Sequence, residues 1–206
     1  AGTLPAAAPI PTPASTPAPT AAPAPADALT PEEKIGQLFI IRPDALDLTL
    51  PQETINDAKA DGVTMLTDAM RETLQAYPVG GICQFGKNIT DPEQLAQFNA
   101  DLQAASRTPL FIAVDEEGGA VARLANHPAF DLPQYESAAA VGASGDPADA
   151  CAMGQTIGAY LKEYGFNMDF APDADVNTNP DNPIIGTRAF SSDAADAADC
   201  AAGLAR

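Results

Sequence analysis

Four short apolar runs recur along the chain: Gln37–Ile41, Val79–Phe85, Pro109–Asp115 and Asn167–Ala171. The segments between them carry helix-start chemistry. The runs show little period-two alternation, as expected of strands covered on both faces. Ahead of the first, Thr30-Pro31-Glu32-Glu33 reads as a capping box, with Thr30 at the N-cap, Pro31 at the first helical position and Glu33 at the third. Residues 67–76 have a helical pattern, whereas 43–65 give no clear assignment. Thr90-Asp91-Pro92-Glu93 opens a helix striped by Leu95, Phe98 and Leu102. Asp146-Pro147 opens another, striped by Ala150, Met153, Ile157 and Leu161 and closed at Gly165. A last Ala-rich helix begins near Asp193. Strands alternating with helices predict an α/β fold with a parallel sheet. Two architectures fit: a doubly wound open sheet, or a partial TIM-type (β/α) barrel comprising about its first four strand–helix units. No GxGxxG or Walker motif follows the first run, which weakens a nucleotide-binding reading. A closed eight-stranded barrel needs about 250 residues, so four strands do not close one.

Composition divides the chain into two parts. Residues 1–26 are dominated by Ala, Pro and Thr, with no charged or aromatic side chain. Such a segment buries too little apolar surface to offset its ordering entropy, so it reads as a disordered Pro/Thr-rich spacer of polyproline II character, with Thr and Ser open to O-glycosylation. Residues 27–206 remain as the folded part, long enough for a real core. The net charge of −18 argues against nucleic acid and against anionic membrane surfaces. No apolar run reaches the roughly eighteen residues of a direct membrane span. The sequence begins at Ala1 rather than Met, which fits a processed N-terminus, and the spacer favours an extracytoplasmic location, secreted or anchored to the cell surface. Cys83, Cys151 and Cys200 match no zinc or redox spacing. Cys83 falls in a strand and reads as a buried thiol. Cys151 and Cys200 fall on consecutive helices, where a disulfide is open but spacing alone does not establish it.

Polar residues gather where the strands end. The third run ends in Asp115-Glu116-Glu117-Gly118-Gly119 and is followed by Arg123. The fourth leads into Asp173, Asp175, Asn177, Asn179 and Asp181, then Arg188. Barrel enzymes build their sites on the loops after strand C-termini. Carboxylates accept from sugar hydroxyls and arginine supplies a rigid donor fork, so this pattern fits a polyol-binding cleft. Each residue also has a structural reading. Asp115 could cap a turn, and the arginines could simply pair with nearby carboxylates. Glu116 and Glu117 are adjacent, so one is expected to face solvent. The Asp and Asn residues from 173 to 181 are good turn formers. His127, the only histidine, reads as a surface residue, and Lys87 as a loop charge.

Four segments together resemble glycoside hydrolase family 3: Gly80-Gly81-Ile82 with Phe85-Gly86-Lys87-Asn88-Ile89; Val114-Asp115-Glu116-Glu117-Gly118-Gly119-Ala120-Val121-Ala122-Arg123-Leu124; Asn167-Met168-Asp169-Phe170-Ala171-Pro172-Asp173-Ala174-Asp175-Val176-Asn177; and Asn182-Pro183-Ile184-Ile185-Gly186-Thr187-Arg188-Ala189-Phe190. They stand in the family's order, and the resemblance extends over residues 28–206. The Asp-Glu-Glu-Gly-Gly-x-Val-x-Arg form is similar to the β-N-acetylhexosaminidase branch. The resemblance implies the N-terminal half of a TIM-type catalytic barrel, no cofactor or metal, and an N-acetylglucosamine-containing glycan as partner. It implies that Asp115, Arg123 and Arg188 bind the non-reducing sugar, Asp115 through its hydroxyls. It implies an acid/base histidine loop after a fifth strand and a nucleophilic Asp after a seventh, so the catalytic residues are expected beyond Arg206.

Retaining hydrolysis needs one group to protonate the leaving oxygen and a carboxylate to attack the anomeric carbon. Asp115 and Glu117 sit too close together on one strand end to flank a sugar ring easily in both roles. The resemblance implies hydrolysis of terminal non-reducing β-linked N-acetylhexosamine as the parent activity, and the carboxylate spacing leads to the expectation that this chain is inactive alone. The alternatives are another family 3 glycosidase such as a β-glucosidase, or a non-catalytic carbohydrate-binding protein on a degenerate barrel.

Overall fold

The computed structural model describes residues 28–206, and the spacer expected at 1–26 lies outside them. The capping box forms as expected. The Thr30 side chain accepts from the Glu33 N–H and the Glu33 carboxylate accepts from the Thr30 N–H, opening helix α1 (Pro31–Gly36). Strand β1 (Ile40–Ile41) follows, then a short 3₁₀ turn at Pro43–Leu46 and helix α2 (Gln52–Asn56). Helix α3 (Asp68–Ala76), capped by Thr67, leads to β2 (Gly81–Cys83), and α4 (Pro92–Ala105), capped by Asp91, leads to β3 (Phe111–Val114). The loop after β3 contains a hairpin, β4 (Glu116–Gly118) and β5 (Val121–Ala122), and a short helix α5 (Ala138–Gly142). Helix α6 (Pro147–Glu163), strand β6 (Met168–Asp169) and helix α7 (Ala194–Leu204) complete the chain.

The main sheet is parallel, in the order β1-β2-β3-β6, with each strand beside the next in sequence apart from the intervening hairpin. That sequential order is the order of a barrel wall; a doubly wound sheet reverses its order at a switch point. Ile41, Ile82 and Ile112 share one register row, and Ile82, Ile112 and Val114 join the core beneath the helices. Gly81, Phe111, Ala113 and Met168 occupy the alternate positions and face the other way. The expected stripes pack as read: Leu95, Phe98 and Leu102 from α4, and Ala150, Met153, Ile157 and Leu161 from α6, are all buried.

Two expectations, for Gln37–Ile41 and for Lys87, need correction. The run Gln37–Ile41 is not a buried strand: Leu38 is 81% and Phe39 55% exposed, and only Ile40–Ile41 pairs. After β3, Gly118 and Gly119 adopt positive φ (82° and 59°) and turn the chain into the β4–β5 hairpin. A Cβ at Gly118 would also meet Met153. Lys87 is not a free loop charge. Its ammonium lies 3.2 Å from Asp44, with side chains 4% and 0% exposed, and donates to the Thr54 and Ile55 carbonyls. Cys151 and Cys200 are free thiols. No helix among the described residues is long and apolar enough to cross a membrane.

Candidate active site

The β3 and β6 ends lie side by side, with Val114 in register with Asp169. Asp115 therefore leaves the sheet next to the segment that leads to Asp173. The hairpin returns Arg123 over the strand end, and its guanidinium donates to Asp115 at 2.9 Å. The loop after β6 brings Arg188 across 71 residues of sequence to Glu117, where the two make a bidentate pair at 2.8 Å each. Arg188 also lies 3.5 Å from Asp173. Both arginines are thus oriented, each by a carboxylate on the β3 loop. The fork geometry of Arg188 fixes its plane as well as its position. The Glu117 hydrogen bonds hold the Arg188 guanidinium above the usual arginine range.

Phe85, at the end of β2, completes this rim. The Arg42 guanidinium stacks on its ring at 4.2 Å, and that of Arg123 lies 6.0 Å from the ring centroid. Of six buried polar side-chain atoms without a hydrogen-bond partner among the described residues, two belong to this rim: Arg123 Nε, and Asp173 Oδ2, which faces the Arg188 guanidinium at 3.5 Å. Buried polar atoms are nearly always paired, so the Arg123 Nε, held without a partner, is a donor open to polar contact from outside the chain. The site lies on open strand ends. A concavity of about 590 Å³ nearby is lined by residues such as Lys59, Asp61, Gly86 and Lys87 and contains none of Asp115, Arg123 or Arg188.

Beneath this rim the two glutamates diverge. Adjacency in sequence suggested that one would face solvent, but both are buried, Glu116 at 0% exposure and Glu117 at 8%. Glu117 faces Arg188. Glu116 turns under the sheet, where its carboxylate accepts from the Leu124 and Ala125 N–H groups and from the Tyr160 hydroxyl, each at 2.9 Å. Burial and then the Glu116 charge push the Tyr160 phenol well above its ordinary range. Asp169 accepts from the Glu116 N–H at 3.0 Å. Burial raises its carboxyl to about 7, with Glu116, Asp115 and Glu117 adding to the rise. Neither Asp169 nor Tyr160 stood out in the sequence. Tyr160 falls three residues after Ile157 on the α6 stripe, and the one available signal was a polar-tipped aromatic on an apolar face.

The remaining candidates do not join the site. His127 stacks edge-on against Phe130 at 5.6 Å, and its Nδ1 accepts from the Ala129 N–H. Asp175 and Asp181 are exposed, and their N–H groups donate to the side chains of Asp173 and Asn179, as turn formers do. Cys83 lies beneath Asp115, and burial, followed by that charge, pushes its thiol up to about 12 and leaves it inert. Among the described residues no cluster of three His, Cys, Asp or Glu is placed to hold a metal ion.

A sequentially ordered parallel sheet bearing carboxylate–guanidinium pairs at its strand ends defines a domain of the (β/α)-barrel kind with its polar residues gathered at the face where such domains carry their sites. Residues 30–205 match the Glycosyl hydrolase family 3 N terminal domain. The chain belongs to glycoside hydrolase family 3. It is 36% identical over 134 residues to beta-hexosaminidase A of Pseudoalteromonas piscicida, a match covering 63% of this chain and 22% of that protein. It is likewise 34% identical to a beta-hexosaminidase of Stenotrophomonas maltophilia, covering 63% of this chain and 39% of the relative. Among solved structures it resembles a family 3 beta-N-acetylglucosaminidase from Paenibacillus sp., with a TM-score of 0.69, 32% identity, and coverage of 86% of this chain and 30% of the other. It also resembles NagZ from Neisseria gonorrhoeae in complex with N-trifluoroacetyl-D-glucosamine, with a TM-score of 0.62, 27% identity, and coverage of 69% of this chain and 42% of that one. The chain thus spans well under half the length of these relatives.

Proposed function

We propose that this chain supplies the sugar-binding strand ends of an exo-acting hydrolase that removes terminal non-reducing β-linked N-acetylhexosamine by a retaining mechanism. The observation that carries this reading is the pair of oriented arginines, Arg123 on Asp115 and Arg188 on Glu117, with the Arg123 Nε left without a partner. Relatives named beta-hexosaminidase and beta-N-acetylglucosaminidase support it. In this reading Asp115 accepts from sugar hydroxyls, and the arginine forks donate to ring substituents. Asp115 and Glu117 are each engaged by a guanidinium, which suits binding rather than the two opposed roles of acid and nucleophile. The composition of residues 1–26 supports a location outside the cytoplasm.

The test is titration of the 206-residue chain with N-acetylglucosamine and, in parallel, with glucose. Saturable binding of the acetylated sugar, lost in Arg188→Ala, is the expected result. An equal response to glucose would favour the β-glucosidase branch, and no response to either sugar would sink the reading. On an aryl N-acetylglucosaminide the same chain is expected to show no turnover above a protein-free control.

A further inference from the structure

We propose that Glu116 is a positioning residue: its carboxylate, tied to Tyr160, fixes the return of the β4–β5 hairpin and so holds the Arg123 guanidinium against Asp115. The inference rests on the sugar-binding reading of that pair. Asp115 and Arg123 are eight residues apart, so the chain must reverse completely for one to meet the other. The reversal is a hairpin of two very short strands whose ladder is irregular between Glu116 and Gly118. A ribbon that short does not sustain itself in water.

What fixes it comes from Glu116. Its two oxygens accept from successive backbone N–H groups, Leu124 to one oxygen and Ala125 to the other. These are the two residues that follow Arg123. The Tyr160 hydroxyl donates to the oxygen that Ala125 uses, which ties the assembly to helix α6. The backbone of Glu116 is held in turn, because its N–H donates to Asp169 on β6. Side chain and main chain are thus anchored to different elements, and the segment carrying Arg123 is clamped between them.

A purely stabilising role explains the arrangement less well. Glu116 is fully buried and makes no ion pair among the described residues. Burying a carboxylate on neutral donors alone is an expensive route to stability. What a carboxylate supplies there, and an apolar side chain does not, is two acceptor oxygens spaced for two consecutive N–H groups.

The test takes Glu116→Gln and Tyr160→Phe, each alone and combined with Arg123→Ala, in the full 206-residue chain. N-acetylglucosamine affinity is read by titration, and the guanidinium ¹⁵N–¹H resonances by NMR. Loss of a hydrogen bond to a charged group predicts that Glu116→Gln weakens the sugar about ten-fold and Tyr160→Phe about three-fold. Neither change should matter once Arg123 is gone, since coupled residues are not additive. Arg123 resonances should broaden or exchange in both variants, while those of Arg188, held by Glu117, stay as they are. Equal affinity losses with and without Arg123 would overturn the proposal, and so would Arg123 resonances that do not change. Where Glu116→Gln fails to fold, Tyr160→Phe carries the comparison, since it keeps the ring. If the unmodified chain binds no N-acetylglucosamine, the sugar-binding reading fails, but the resonances still decide whether Glu116 positions Arg123. They decide alone if the Arg123→Ala background binds too weakly to measure.

Discussion

Asp169 and Glu116 show how one strand pairing gives two acidic residues different work. Asp169 keeps its Oδ1 on the Glu116 N–H, while burial and three neighbouring carboxylates lift its carboxyl to about 7 from an ordinary value near 3.8. The folded state therefore holds this proton across a range in which the unfolded chain has released it. Between those two values stability falls as pH rises, and above about 7 the penalty is complete. Asp169→Asn retains an oxygen for the Glu116 N–H and removes the titration. The variant should match the wild type near pH 4 and gain on it steadily toward pH 8. A tenfold change in proton affinity between folded and unfolded chains is worth about 1.4 kcal/mol, so the gain at pH 8 should exceed roughly 1 kcal/mol even when solvent reduces the effect. Denaturant midpoints of both proteins at three pH values measure it, and an advantage that is flat or shrinks with pH contradicts the assignment. Asp115, Arg123 and Arg188 were singled out in the sequence by their place after strand ends and by the resemblance to family 3, and the fold does bring each arginine onto a carboxylate there. Their partners were not legible. Whether Arg188 meets Glu117 or Glu116 depends on which way each side chain leaves a strand end, and the 71 intervening residues conceal that.

At the level of elements, the capped helices were the most legible parts. Thr30, Thr67, Asp91, Asp146 and Asp193 all cap where the sequence places a helix start, because the signal is local: a side-chain oxygen facing N–H groups two or three residues on. Strand burial was less legible, since it depends on what packs against the strand. Phe98 on the α4 stripe and Leu38 in the apolar run before β1 are both large apolar residues, yet they are 2% and 81% exposed. Phe98→Ala should cost about 3–5 kcal/mol, because it opens a cavity between α4 and the sheet. Leu38→Ala should stay within about 0.5 kcal/mol, since no packed neighbour is lost. Chemical denaturation of the two variants compares them directly, and a costly Leu38 would mean that this segment is covered in solution. The hairpin after β3 and the Asp44–Lys87 pair were not legible. The first requires two positive-φ glycines in a loop, and the second joins residues 43 apart, with Asp44 in the 43–65 stretch that gives no clear assignment.

For the molecule as a whole, the sheet's open face and edges govern behaviour. Among the described residues β1 pairs only with β2, and β6 only with β3, so both ends of the sheet present unpaired N–H and C=O groups. The face turned from the helices carries Phe111 at 51% exposure, and Leu38, Phe39 and Phe170 are also exposed nearby. Open edges beside apolar surface favour pairing with another chain. A second copy is geometrically suited to this. All four strands run parallel, so a two-fold axis along them would set β6 of each copy beside β1 of the other without reversing any strand. The net charge of −18 opposes that approach at low salt, and added salt screens the repulsion within about a nanometre at 0.1 M. The 206-residue chain is therefore expected to sediment as a mixture whose average mass rises with protein concentration and with salt, and to melt at a temperature that rises with concentration. Replacing Phe111 with Ser should move the population toward monomer, since it removes apolar area from the open face without touching the helix-side core. A monomer whose cooperative melting is independent of concentration at both low and high salt would show that edges and face are satisfied within one chain.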